Sequence, residues 1–304
     1  MTPAEAVAAL TGRVSRQVRG KKEVVELAAI CVLAGGHLLL EDVPGVGKTT
    51  LAHALAQAIG GTFRRIQFTS DLLPADIVGF VGLDAGRMQF RPGPIFANVV
   101  LADEINRTTP RTQSALLEAM NEGTVSVDGT THALAQPFFV VATQNPHEYH
   151  GTWPLPDSQL DRFLIRTAMG YPDREAEREV LQGAARLASG EGAVLQPADV
   201  LELRAAVDKV RIHADIEDAV LDLAAASRCA GSLARGVSTR GAEALLRAAR
   251  ARAVLRGRDF AIPEDVLALA VPVLAHRVLV RAESGPEGAA SAIRELLTSL
   301  RAVA

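Results

Sequence analysis

The 304-residue chain predicts an α/β fold, namely a P-loop core with a central parallel sheet followed by a smaller all-helical domain. Three observations lead to this prediction. A glycine-rich turn joins an apolar run at 38–40 to a helical pattern at 50–59. Continuous apolar runs at 99–101 and 138–143 are typical of central parallel strands. Only helical patterns follow residue 172, so we place the two domains at 1–172 and 173–304.

The glycine-rich turn has the sequence of a phosphate-binding loop, Pro44-Gly45-Val46-Gly47-Lys48-Thr49-Thr50. Glycines let successive backbone N–H groups point inward at phosphates, and the helix that follows adds the positive end of its dipole. We expect Lys48 to reach the β- and γ-phosphates of a nucleotide and the Thr49 hydroxyl to help hold Mg²⁺. Asp42 stands where the strict motif has glycine, but it ends the strand and need not contact phosphate. An ordinary glycine turn before a helix is the weaker alternative.

Two later strands end in polar residues that suit the same chemistry. The strand at 97–102 runs into Asp103-Glu104, and the strand at 138–143 runs into Gln144-Asn145. An acidic residue at such a strand end binds Mg²⁺ in P-loop enzymes, and a second carboxylate can polarise the attacking water. An amide at the third strand end can hydrogen-bond the γ-phosphate. We therefore assign Asp103 to metal binding, Glu104 to base catalysis and Asn145 to the phosphate.

The remaining elements of the first domain are a strand at 63–68, a helix at about 110–121 and two inserted segments. The segment Thr124–Leu134 contains Asp-Gly between alternating runs, which is a strong hairpin signal. The glycine-rich segment Asp76–Pro94 predicts a second hairpin or a loop. Helical patterns in the second domain lie at about 173–188, 198–208, 215–228, 239–256, 263–275 and 289–301.

Two arginines are candidates for neutralising phosphate charge, because a guanidinium is always charged and donates in a planar fork. Arg162 lies in Leu160-Asp161-Arg162-Phe163, and Arg240 begins a helix after Ser238-Thr239.

Taken in order, these motifs resemble those of AAA+ ATPases, and more narrowly of the MoxR family. The resemblance covers about residues 14–280. It includes the phosphate-binding loop, Asp103-Glu104, Leu160–Phe163 and Arg240. It also includes the following phrases: Gly36–Gly45, Gln67–Asp76, Gly93–Asn98, Asp103–Arg107 and Ala142–Pro146. Asp42 occurs in the family pattern as well.

The resemblance implies a role for each candidate residue, with ATP and Mg²⁺ as cofactors. Lys48 and Thr49 would be Walker A, Asp103 and Glu104 Walker B, and Asn145 sensor 1. Arg240 would be sensor 2, touching the γ-phosphate of its own subunit. Arg162 would be the arginine finger presented to a neighbouring subunit. The loop with Val18 and Gly20 would bracket adenine, and both inserted segments would face the ring pore or a partner.

The function implied by the resemblance is ATP hydrolysis by a homo-oligomeric ring, hexameric by analogy, that remodels or assembles client complexes in a chaperone-like way. A von Willebrand factor A-domain protein would be its partner. Three alternatives stay open: a magnesium-chelatase-like motor subunit, a nucleic-acid motor or transcriptional activator, and a non-enzymatic ATP-gated scaffold.

Composition narrows these choices. A net charge of −3 gives no electrostatic reason to expect nucleic-acid binding. No signal peptide or membrane-spanning run is visible, and Cys31 and Cys229 lie in apolar helical stretches where we expect buried thiols. We therefore expect a cytoplasmic protein. The loop containing His147 and His150 lacks a third clear ligand, which disfavours a metal site there.

Overall fold

The computed structural model of the chain describes residues 1–84, 87–145, 152–182, 192–281 and 285–301. The helices in these ranges are α1 (Pro3–Gln17), α2 (Lys22–Leu33), α3 (Lys48–Ala58), α4 (Pro74–Val78), α5 (Pro110–Glu122), α6 (Asp157–Leu160), α7 (Arg174–Leu181), α8 (Pro197–Asp208), α9 (Ala214–Cys229), α10 (Thr239–Leu255), α11 (Pro263–Leu274) and α12 (Gly285–Arg301). The strands are β1 (Leu38–Glu41), β2 (Phe63–Gln67), β3 (Gly79–Asp84), β4 (Arg87–Pro92), β5 (Val99–Asp103), β6 (Thr124–Val127), β7 (Thr130–Ala133), β8 (Phe139–Gln144), β9 (Ile165–Thr167), β10 (Leu233–Arg235) and β11 (Leu279–Val280).

Five parallel strands form the central sheet in the order β2-β5-β8-β1-β9. The predicted parallel sheet is therefore confirmed. Strands β1, β5 and β8 are buried along almost their whole length, as their continuous apolar runs indicated. The fifth strand, β9, was not predicted, because three residues are too few to show a periodic pattern.

The two edges of this sheet lie at opposite ends of the same strands. We call the end where β1, β5 and β8 finish the carboxyl edge, and the end where they begin the amino edge. At the carboxyl edge, the phosphate-binding loop follows β1, while Asp103 and Gln144 are the last residues of β5 and β8. At the amino edge, the backbone amide of Leu164, just before β9, donates to the carbonyl of His37, just before β1, at 2.9 Å.

Both inserted segments contain hairpins. In β6–β7 the turn residues Asp128 and Gly129 have φ values of 48° and 78°, which is the geometry that Asp-Gly supplies in two-residue turns. Strands β3 and β4 form the second hairpin, which follows the short helix α4. The rings of Phe90 and His132 stack with centroids 3.9 Å apart, so the two hairpins contact each other.

The helical part of the chain packs beside the sheet and continues its core. Helices α1 and α2 pack against α10, and β9 packs against α11. One hydrophobic cluster runs from α1 and α2 into these later helices. The boundary at residue 172 stays a prediction. A short antiparallel pair, β10–β11, lies among the helices and was missed by the expectation that strands end at 172.

Three further expectations can be compared with the fold. Helix α7 is described to Leu181, and the rest of the helical pattern at 173–188 lies outside the described residues, apart from Gln182. Cys31 is buried, but Cys229 is exposed at the end of α9, which corrects the expectation of two buried thiols. Within the described ranges, no helix combines the length and apolar character needed to cross a bilayer.

Candidate nucleotide-binding site

An open cleft of about 370 Å³ lies at the carboxyl edge of the sheet. It brings together the predicted groups of three strand ends: the phosphate-binding loop after β1, Asp103-Glu104 after β5 and Asn145 after β8. The residues lining it are Pro44, Gly45, Gly47, Lys48, Thr49, Arg65, Gln67, Asp103, Glu104 and Asn145. Sequence reasoning missed Arg65 and Gln67, which lie in the middle and at the end of β2.

The phosphate-binding loop depends on two glycines. Gly45 and Gly47 have φ values of 85° and 99°, in the left-handed region that side chains with a Cβ rarely adopt. Gly47 is the N-cap of α3, so Lys48 is the first helical residue and lies at the positive, amino-terminal end of that helix. Lys48 Nζ donates to the Asp42 carbonyl at 2.6 Å. Burial lowers the Lys48 pKa, although the nearby carboxylates, including Asp103 and Glu104, oppose that shift.

Asp42 has a structural role that could not be predicted from the sequence motif. One carboxylate oxygen accepts from the Gly170 amide at 2.5 Å and the other accepts from the Val43 amide. This contact joins the phosphate-binding loop to the chain that follows β9. The side chain does not line the cleft, in agreement with the expectation that it need not contact phosphate.

A buried hydroxyl organises the acidic pair. Thr143, in β8, is fully buried; its Oγ1 accepts from the Glu104 amide at 2.9 Å and donates to Asp103 Oδ1 at 2.6 Å. Glu104 itself has φ 58°, a conformation that costs a non-glycine residue about 1–3 kcal/mol. Thr143 thereby stabilises the backbone turn that projects Glu104 into the cleft. Its signal in the sequence was only a hydroxyl at the end of an apolar strand.

Side chains of neighbouring elements hold both carboxylates. Arg65 pairs with Asp103 Oδ2, with its Nη2 at 2.5 Å. Gln67 Nε2 and Arg107 Nη1 donate to Glu104 Oε2 at 2.7 and 3.0 Å. Both carboxylates are thus paired with protein donors in this structure.

The residues present fit a magnesium ion that is shared with phosphates. The Thr49 hydroxyl and the Asp103 carboxylate line the same cleft, and both are oxygen donors of the kind that Mg²⁺ prefers. The described residues contain no cluster of three or more His, Cys, Asp or Glu side chains that could enclose a metal alone.

The other predicted nucleotide contacts lie around this cleft and do not line it. Val46, within the phosphate-binding loop, is buried, and Thr50 is partly buried in α3. Val18 and Gly20 line a separate pocket beside α1, where a Cβ on Gly20 would come within 2.7 Å of the Ala176 Cβ. Their contact with adenine therefore stays a prediction.

The two candidate arginines lie together at the amino edge, away from the phosphate-binding loop. Arg162 and Arg240 line a second cleft of about 380 Å³, and Arg240 pairs with Asp161 at 3.5 Å. The full lining set is Asn121, Asp161, Arg162, Arg240, Glu243, Ala244, Arg247 and Arg277. Helix α10 packs on α1 and α2 and begins beside Asp161. The expectation that Arg240 touches the γ-phosphate of its own subunit stays a prediction.

Comparisons with known proteins agree with this architecture. Residues 37–165 match the model of the ATPase family associated with various cellular activities (AAA), and residues 225–296 match the AAA lid domain. The Chaperone MoxR1 of Mycobacterium tuberculosis is 41% identical over 88% of this chain and 74% of its own length. The Protein MoxR of Methylorubrum extorquens is 33% identical over 91% of this chain and 88% of its own length.

The chain belongs to the MoxR family of AAA+ ATPases. The crystal structure of a candidate ATPase from Cytophaga hutchinsonii is 36% identical, has a TM-score of 0.90 and covers 97% of this chain and 94% of its own. The Bacillus subtilis protein YeaC, itself uncharacterised, is 48% identical over 95% of this chain and 92% of its own length. The α/β core followed by a helical lid is thus the arrangement of a MoxR-family protein. The loop with His147 and His150 lies outside the described residues.

Proposed function

We propose that this MoxR-family chain hydrolyses ATP at sites shared between neighbouring copies in a ring, and that hydrolysis remodels a client protein complex. One observation supports the shared site above the others. The phosphate-binding and acidic groups lie at the carboxyl edge of the sheet, whereas Arg162 and Arg240 lie at the amino edge. Each chain would therefore offer the phosphate-binding half of a site at its carboxyl edge and the arginine half of another site at its amino edge.

Each half of the proposed site has its own task. The loop amides and Lys48 bind the phosphates, while Thr49 and Asp103 hold Mg²⁺, which supplies charge neutralisation on the phosphate oxygens when it is bound. Glu104 accepts a proton from the attacking water and Asn145 orients the γ-phosphate. Arg162 and Arg240 of a neighbouring copy neutralise the charge that develops during transfer. Arginine fingers of this kind contribute about 10³–10⁵ in rate.

The shared site is tested by measuring ATP hydrolysis per chain against protein concentration for the wild type, Arg162→Ala, Glu104→Gln and mixtures of the two variants. We expect specific activity to rise with concentration. We also expect Glu104→Gln chains, which keep Arg162, to restore activity to Arg162→Ala chains, which keep Glu104. Flat specific activity together with an unimpaired Arg162→Ala variant would overturn the shared site.

The partner and client are proposed from family membership, and one of the MoxR relatives is named a chaperone. The β3–β4 hairpin offers a surface for such a contact, since Leu83 and Met88 near its turn are each 70% exposed. The test uses a von Willebrand factor A-domain protein from the same organism, mixed with Glu104→Gln chains and ATP. We expect a complex by size-exclusion chromatography that Leu83→Ser, added to the Glu104→Gln chains, weakens. Leu83→Ser alone, in chains that keep Glu104, should leave basal ATP hydrolysis unchanged. No complex with the unmodified hairpin would contradict the proposed partner.

A further inference from the structure

A buried arginine of the helical lid forms hydrogen bonds with the loop that carries Arg162. Arg277 follows α11, and its side chain is only 3% exposed. Its guanidinium donates to the carbonyls of Asp161 (3.1 Å), Phe163 (2.7 Å) and Leu164 (3.1 Å). Its Nε also donates to Asp161 Oδ1 at 2.8 Å. The contacts therefore fall on both sides of Arg162.

The same carboxylate also holds the second arginine of the amino-edge cleft. Asp161 Oδ1 accepts from Arg277, while Oδ2 lies 3.5 Å from Arg240 Nη1. One side chain thus links the loop of Arg162 to two separate points of the helical lid. Arg162 itself donates from Nη1 to the carbonyl of Leu117, in α5.

The pairing of Arg277 with Asp161 also affects the charge of the amino-edge cleft. Asp161 is adjacent to Arg162, so an uncompensated carboxylate would attract the guanidinium of Arg162 or Arg240 and cancel the positive charge of the cleft. Because Arg277 is buried and already paired with Asp161, it offsets the charge of that carboxylate. The partly buried Arg162 and the exposed Arg240, which lies 3.5 Å from the same carboxylate, therefore keep a net positive charge to meet an anion. Lysine could supply the charge, but it lacks the planar fork that reaches several carbonyls at once.

We propose that Arg277 and Asp161 are positioning residues that hold Arg162 and Arg240 as one anion-binding face presented to the nucleotide of a neighbouring copy. The inference rests on the shared site proposed above and names what preorganises its donor half. The proposal assigns neither residue a contact of its own with the nucleotide, although both line the amino-edge cleft. Their effect is to fix the loop backbone, and a displacement of about 1 Å in a positioned group costs about 10²-fold in rate.

The test compares Arg277→Lys and Asp161→Asn with a matched control, Arg252→Lys, in the full chain. Arg252 pairs with the buried carboxylate of Asp265 in the same domain, and the described residues show no hydrogen bond or ion pair between Arg252 and the Arg162 loop. We expect Arg277→Lys and Asp161→Asn to lower kcat by about 10²-fold, with ATP affinity nearly unchanged. The control should lose thermal stability and keep kcat.

Mixed rings distinguish positioning from a general defect. Glu104→Gln chains have an intact donor face, so they should restore hydrolysis to Arg277→Lys and Asp161→Asn chains. Arg162→Ala chains should not restore it. A general folding defect would instead resist rescue by both. If Arg277→Lys does not fold, Asp161→Asn decides, because its side chain is 19% exposed and the substitution is nearly isosteric.

Three results would overturn the inference. Folded Arg277→Lys and Asp161→Asn rings could turn over at the wild-type rate. Alternatively, Glu104→Gln chains could rescue Arg162→Ala chains and fail to rescue either positioning variant, which would place the defect outside the donor face. A failure to rescue Arg162→Ala as well would refute the shared site itself, and the inference with it.

Discussion

Replacing Thr143 with valine should disable hydrolysis while leaving the shape of the core intact. The change removes one hydroxyl that accepts from the Glu104 amide at 2.9 Å and donates to Asp103 Oδ1 at 2.6 Å. Thr143 is fully buried, so water cannot easily take the place of that hydroxyl. A buried donor left without its acceptor costs about 1–3 kcal/mol.

That cost is expected to appear at Glu104. Its backbone is in the left-handed region, with φ 58°, and Thr143 is the side chain that holds the amide there. Without the hydroxyl the peptide can relax and carry the Glu104 carboxylate away from the attacking water. Since about 1.36 kcal/mol corresponds to a factor of ten in rate, a loss of about 1–3 kcal/mol predicts a fall in kcat of about 5- to 160-fold.

The assay is steady-state ATP hydrolysis at saturating Mg²⁺, together with binding of a fluorescent ATP analogue with and without Mg²⁺. Nucleotide binding without Mg²⁺ should be unchanged, because Thr143 does not line the cleft. Thr143→Ser is the matched control, since it keeps the hydroxyl and removes the methyl group. If valine leaves kcat within about twofold of wild type, or if serine is as damaging as valine, the hydroxyl bridge does not position the acidic pair.

Three further changes test other parts of the structure. Arg65→Gln removes the ion pair that competes for Asp103, so the Mg²⁺ concentration for half-maximal activity should fall about two- to fivefold; a rise would show that Arg65 assists binding instead. Asp265→Asn should lower the free energy of unfolding by about 3 kcal/mol in urea titrations, because Arg252 and Arg258 lose their buried partner; a change within error would contradict this. Burial lowers the pKa of His37 to about 4, so between about pH 6.5 and 4 the unfolded chain binds a proton that the folded chain does not, and the free energy of unfolding falls as the pH falls. His37→Gln should remove part of this pH dependence, up to about 3 kcal/mol over the window. An unchanged pH dependence of the free energy of unfolding would refute the low pKa of His37.

The carboxyl-edge cleft was largely readable from the sequence. Strands β1, β5 and β8 are continuous apolar runs, and each is followed at once by polar residues: the glycine-rich loop, Asp103-Glu104 and Asn145. Parallel strands bring such ends to one edge, so their meeting follows from the pattern. Thr143 did not follow, because periodicity indicates that the residue is buried and says nothing about which groups its hydroxyl bonds.

The position of Arg240 shows where that reasoning ends. A residue in a second domain can lie at either edge of the sheet, and the choice depends on how the helices pack. Here α10 packs on α1 and α2, and Arg240 meets Asp161 instead of the phosphate-binding loop. The determining contacts join residues more than two hundred positions apart in some cases, and no local pattern records them. The short strand β9, which carries the Arg162 loop into the sheet, was equally invisible.

The direction of coupling in the proposed ring follows from this placement. Strand β1 has four residues, or about 13 Å, and it separates the nucleotide cleft from the Arg162 loop of the same chain. Arg240 and Arg277 belong to the helical lid and pair with Asp161, so a displacement of the lid would be transmitted to that loop. In the proposed ring, a lid movement in one copy would therefore alter the donor face offered to its neighbour more directly than its own phosphate-binding loop. The rate of nucleotide turnover in each copy would then depend on the lid position of the adjacent copy.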